Sequence, residues 1–68
     1  MKKTEVNIEY LNEKGQQNFA YYLDFIKENS KSVYAEGIYG DIYRIEKESK
    51  KVYINGNFKG VATRLNVY

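Results

Sequence analysis

Apolar positions along the 68-residue chain fall into two kinds of pattern. From Thr4 to Leu11, TEVNIEYL, Val6, Ile8 and Tyr10 alternate with Glu5, Asn7 and Glu9, the period-two signature of a strand with one buried face. From Gln16 to Asn29, QQNFAYYLDFIKEN, Phe19, Tyr22, Leu23 and Ile26 recur at i, i+3, i+4 and i+7, which predicts a helix with one apolar stripe. Tyr21 and Phe25 lie on the flank of that stripe and widen it. Asn12 to Gly15 supplies the turn before the helix, and Asn29, Ser30, Lys31 and Ser32 end it.

The rest of the chain reads as strand and turn. One strand is expected from Val33 to about Tyr39, where Gly37 and Gly40 bracket Ile38 and Tyr39 and mark either a bulge or a hairpin corner. Strands follow at Asp41 to Glu48, Lys50 to Ile54, and Asn57 or Phe58 to Val67. Asn55-Gly56 is the strongest local signal, because both residues accept positive φ and favour a two-residue type I′ hairpin turn. That turn sets Tyr53 opposite Phe58, and a turn at Glu48-Ser49 then sets Ile45 opposite Val52.

With this register Tyr43, Ile45, Val52, Ile54, Val61, Leu65 and Val67 share the core face. Ile42, Arg44, Tyr53, Phe58, Ala62, Arg64 and Tyr68 share the other. Lys59 falls on the core face unless it snorkels or Gly60 carries a bulge. The predicted fold class is α+β: one domain over 1–68, one helix packed on one face of a four- or five-stranded antiparallel sheet, in the order β-α-β-β-β with a further strand optional.

Composition removes several function classes. The chain has no Cys and no His, which excludes the usual zinc, copper and haem ligand sets and Ser-His or Cys-His catalysis. No carboxylates cluster in a magnesium or calcium loop pattern, so neither metal nor cofactor is expected. Eleven basic and nine acidic residues are interspersed, for a net charge of +2, short of the one-signed field of a dedicated nucleic-acid binder. No signal-like or membrane-spanning apolar run is present, so the expected location is cytoplasmic, without membrane association. Half of the residues are Phe, Tyr, Met, Ile, Asn or Lys, a set written with AT-rich codons that suits a low-GC bacterium, its phage or a plasmid.

The candidate site is the face holding Arg44, Tyr53, Phe58 and Arg64, with Tyr21 and Phe25 as a secondary patch. Arg and Tyr are enriched at binding hot spots, and eight tyrosines exceed what so small a core can bury. Gly40-Asp-Ile-Tyr43 and Tyr53-Ile-Asn-Gly56, with Arg64 downstream, resemble the opening hairpin and first arginine of the GIY-YIG nucleases. Each half-motif is interrupted, by Asp41 and Asn55, and ATRLNVY reads as strand where that family has helix. No metal-binding Glu follows in this sequence, and hairpin chemistry alone accounts for the spacing. The expected function is therefore non-catalytic: a small module that binds a larger protein, such as a mobile-element inhibitor of a host defence or transcription complex. Single-stranded nucleic acid stacking on the same face is the alternative, and pairing with a second copy a third use of it.

Overall fold

The computed structural model describes residues 2–68, which form six strands: β1 (Glu5–Asn12), β2 (Gln17–Glu28), β3 (Ser32–Glu36), β4 (Ile42–Glu46), β5 (Lys51–Ile54) and β6 (Asn57–Val67). Each pairs antiparallel with the next, and β6 pairs back onto β1, closing a barrel in the order β1-β2-β3-β4-β5-β6. No helix occurs among the described residues. The α+β expectation is thereby corrected to an all-β barrel.

The error lies in β2. Of the four residues in the supposed helical stripe only Leu23 is buried, whereas Phe19, Tyr22 and Ile26 are 60%, 75% and 45% exposed. Two irregularities produced the misleading spacing. Against β1 the register passes from Ile8↔Ala20 to Val6↔Leu23, and against β3 from Phe25↔Ala35 to Lys27↔Tyr34, so β2 carries one extra residue at each place. The inward residues Ala20, Leu23 and Phe25 are thus spaced by three and two rather than evenly by two. Tyr22 sits in the first bulge at φ 62°, and its N–H donates to the Asn7 side-chain oxygen at 2.6 Å instead of to a ladder carbonyl. The abundance of aromatic residues in this segment, which favours strand over helix, is the local signal that agrees with the fold.

Long bulged strands are what let so short a chain close. β2 runs beside β1 in its first half and beside β3 in its second, and β6 likewise passes from β5 to β1. In β6 the register moves from Tyr53↔Phe58 to Val52↔Gly60, which places Lys59 in a bulge and turns its side chain to solvent. Of the two resolutions open to the Lys59 conflict, a snorkelling side chain or a bulge at Gly60, the bulge is the one present. It also turns Val61 outward and Ala62 inward, opposite to the expected faces; a second shift at Thr63 returns Leu65 and Val67 to the core side.

The core is Val6, Ile8, Leu23, Val33, Ala35, Ile45, Val52 and Ala62, drawn from all six strands, with Tyr10, Phe25, Tyr43 and Ile54 packed around it. These small branched side chains fill the barrel interior. At Gly60 the walls meet so closely that a Cβ would overlap the Leu11 carbonyl. Asn55 and Gly56 adopt φ 52° and 83°, as a type I′ turn requires. Asn55 also fastens the neighbouring β3–β4 turn: its N–H donates to the Ile42 carbonyl, its Oδ1 accepts the Ile42 N–H, and its Nδ2 donates to Asp41.

Candidate functional site

Alternation puts every second residue of β3, β4 and β5 on the barrel exterior, opposite Val33, Ala35, Ile45 and Val52. The ladder then aligns one such residue per strand. Lys27 pairs with Tyr34, Tyr34 with Arg44, Arg44 with Tyr53, and Tyr53 with Phe58, giving a continuous row across β2 to β6.

A cation meets a ring at two places along it, and two rings meet at its end. The Lys27 ammonium lies 4.9 Å from the Tyr34 ring centroid and the Arg44 guanidinium carbon 4.1 Å from that of Tyr53. Phe58 meets Tyr53 at 5.7 Å with the rings inclined by 67°. Exposed cation–π contacts contribute roughly 0.5–1 kcal/mol each, and an edge-to-face pair about as much. Arg44 is also oriented by Glu46 at 3.4 Å, and Glu46 accepts the Ser49 hydroxyl at 2.6 Å. That hydroxyl bond, with Arg44 and Lys51 nearby, holds the Glu46 carboxyl below its usual value.

The expected site is thus partly assembled. Arg44, Tyr53 and Phe58 form one row, and Lys27 and Tyr34 extend it. Lys27 escapes the sequence reading because its segment reads as helix; Tyr34 lies in an expected strand, but the Gly37–Gly40 stretch leaves open the register that sets it opposite Arg44. Arg64 is not in this row. It lies on the half of β6 that pairs with β1, opposite Glu9, and Glu9 in turn stands opposite Phe19 on β2.

The secondary patch is divided as well. Phe25 packs against the core, while Tyr21 is exposed and donates its hydroxyl to Glu9 at 2.6 Å, a bond that raises the phenol pKa. Tyr21 has Phe19 at 5.8 Å and Tyr22 at 6.5 Å, so an aromatic trio lies on β2 beside Glu9 and Arg64. Ile38 and Tyr39 stand exposed at the tip of the β3–β4 turn.

One surface depression lies between turns and is lined by Ser30, Lys31 and Glu46 to Ser49; another is lined by Lys50 and by Ala62 to Leu65 of β6. Among the described residues no group of three or more carboxylates converges on a point where a metal would sit. Comparison with protein-family models, curated proteins and solved structures finds no match to this chain. The exterior side chains themselves carry the functional argument.

Proposed function

We propose that this protein is a non-catalytic binding module that docks the exterior of β3 to β6 against a larger protein. The row Lys27, Tyr34, Arg44, Tyr53 and Phe58 carries the reading. Tyr and Arg dominate binding energetics at protein interfaces, and here their side chains are already held by one another before any partner arrives. Less rotamer entropy is then lost on contact.

The same contacts favour protein over nucleic acid. A base stacks on a free ring face, but the Tyr53 face is covered by the Arg44 guanidinium and Phe58 meets the ring from a further side. Phe58, 40% exposed, is left as an apolar end to the row, suited to a pocket in a partner surface.

Affinity capture by the immobilised protein with nuclease present, compared with the Arg44→Ala/Tyr53→Ala double variant, tests this. The expected outcome is a protein species retained by the wild type and lost by the variant, whose circular dichroism stays unchanged. Material that disappears on nuclease treatment would transfer the row to nucleic-acid binding.

A further inference from the structure

The first bulge of β2 does more than help close the barrel. By inserting one residue it turns Tyr21 and Tyr22, neighbours in sequence, to the same exterior side. Tyr22 adopts φ 62° there, a conformation that a bulky residue keeps only where its surroundings hold it. Asn7 holds it, accepting the Tyr22 N–H on its side-chain oxygen. Phe19 completes the group, and the three rings are between 44% and 75% exposed. Unlike Tyr53, none of them has a cation laid on its face.

Carboxylates border these rings on both sides. Toward one end Glu9 accepts the Tyr21 hydroxyl. Toward the other, the ladder sets Glu5 opposite Asp24 and Asp24 opposite Glu36, a row of like charges across β1, β2 and β3. Like charges set opposite one another disfavour a sheet. Glu5 accepts the Asn7 amide at 3.4 Å, and no Lys or Arg among the described residues forms an ion pair with Glu5, Glu9, Asp24 or Glu36. Two cations border the face: Arg64, opposite Glu9 in the ladder, and Lys27, which lies over the Tyr34 ring.

We infer that this exterior face of β1 to β3 binds a basic segment of another protein, with Lys or Arg cations resting on Phe19, Tyr21 and Tyr22 between the flanking carboxylates. An open ring face attracts a cation, and the carboxylates supply the complementary charge. They are spread over strands about 5 Å apart and do not converge on a point, so they suit several cations along a chain better than one metal ion. A small free cation would find too few contacts on an open sheet, so the charge must arrive on a larger body. The same carboxylates repel phosphate, which disfavours nucleic acid and anionic lipid. This face lies apart from the Arg44, Tyr53 and Phe58 row and is independent of what that row binds.

Amide and ring chemical shifts of the full chain titrated with a hexa-arginine peptide test the inference, beside hexa-citrulline, its uncharged isostere, and oligothymidylate. Hexa-arginine is expected to move Phe19, Tyr21, Tyr22 and Asp24, and hexa-citrulline to bind at least about tenfold more weakly. Tyr22→Leu should weaken the peptide about two- to fivefold while Tyr22→Phe, which keeps the ring, binds as the wild type does. Glu5→Gln with Asp24→Asn should weaken it by a similar factor, and Arg44→Ala/Tyr53→Ala should leave it unchanged. Equal binding of hexa-citrulline, shifts confined to Glu28, Glu46 and Glu48, or unaltered affinity in Tyr22→Leu overturns the inference. Movement of the three rings by oligothymidylate, or by raising the protein concentration alone, overturns it as well and assigns the face to nucleic acid or to a second copy.

Discussion

β2 and the β4–β5–β6 meander contain similar residues and behave in opposite ways. In the meander, from Tyr43 to Phe58, one face is buried, the other is exposed, β4 and β5 each have a partner on both sides, and the Tyr53 ring is contacted by Arg44 and Phe58. In β2 two bulges interrupt the alternation, the first half lacks a partner on one side, and three aromatic side chains stand in solvent. The difference teaches that a bulged strand can serve the closure of a barrel while leaving backbone and rings available for binding. The meander keeps a regular alternation, and β2 bends at its two bulges to close the barrel.

Gly60→Ala tests the closure most severely. Its Cβ would be placed against main chain of β1 rather than a movable side chain, so β6 must separate from β1. A loss of about 3 kcal/mol or more is expected in urea denaturation, and a variant as stable as wild type would refute the close approach.

Next in size is the contrast between apolar residues of the two regions. Ile45→Ala, in the fully buried centre of β4, should cost about 2–4 kcal/mol, whereas Phe19→Ala on β2 should fall within about 0.5 kcal/mol of wild type. Equal losses would mean that Phe19 is buried in the molecule as it exists in solution.

The bulge itself is addressed by Asn7→Ala, which removes the acceptor for the Tyr22 N–H and should destabilise by about 1 kcal/mol. In the meander, a double-mutant cycle on Arg44 and Tyr53 should return a coupling of roughly 0.5–1 kcal/mol; additive effects would show that the stacked geometry carries no energy.

The smallest effect expected is on pH dependence. Glu28, at the far end of β2, is bound by Lys3 and Lys47, and these bonds lower its pKa from 4.5; Glu46 is lowered as well, chiefly by Ser49. A lowered carboxylate pKa contributes stability that is present above about pH 4.5 and is lost as pH falls through the folded value. Tyr10 and Tyr43 are raised above 10.0 by burial, so their contribution is present below pH 10 and declines above it. Chemical denaturation from pH 3 to 11 should show shallow losses at both ends, and Glu28→Gln should flatten the acid limb.

The sequence by itself determined the features that depend on neighbours in the chain. Asn55-Gly56 specified a type I′ turn that set Tyr53 opposite Phe58, a turn at Glu48-Ser49 set Ile45 opposite Val52, and the misfit of Lys59 called for a snorkelling side chain or a bulge at Gly60, of which the bulge is present. Three residues of the exterior row were legible for that reason. Tertiary structure decided what depends on pairing between distant segments. Val6 meets Val67 across nearly the whole chain, and no local pattern encodes that closure. Bulges in β2 break the period from which a strand is read, so a bent strand imitates a helical stripe and Lys27 falls outside the expected row, while the register of Tyr34 against Arg44 is fixed only by the β3–β4 pairing. The bulges also sent Phe25 into the core and left Tyr21 outside, while Arg64 stands opposite Glu9, away from Arg44, because it lies on the half of β6 that pairs with β1. Turn chemistry is local and can be read in order; side-chain direction after a bulge is fixed only once the partner strand is known.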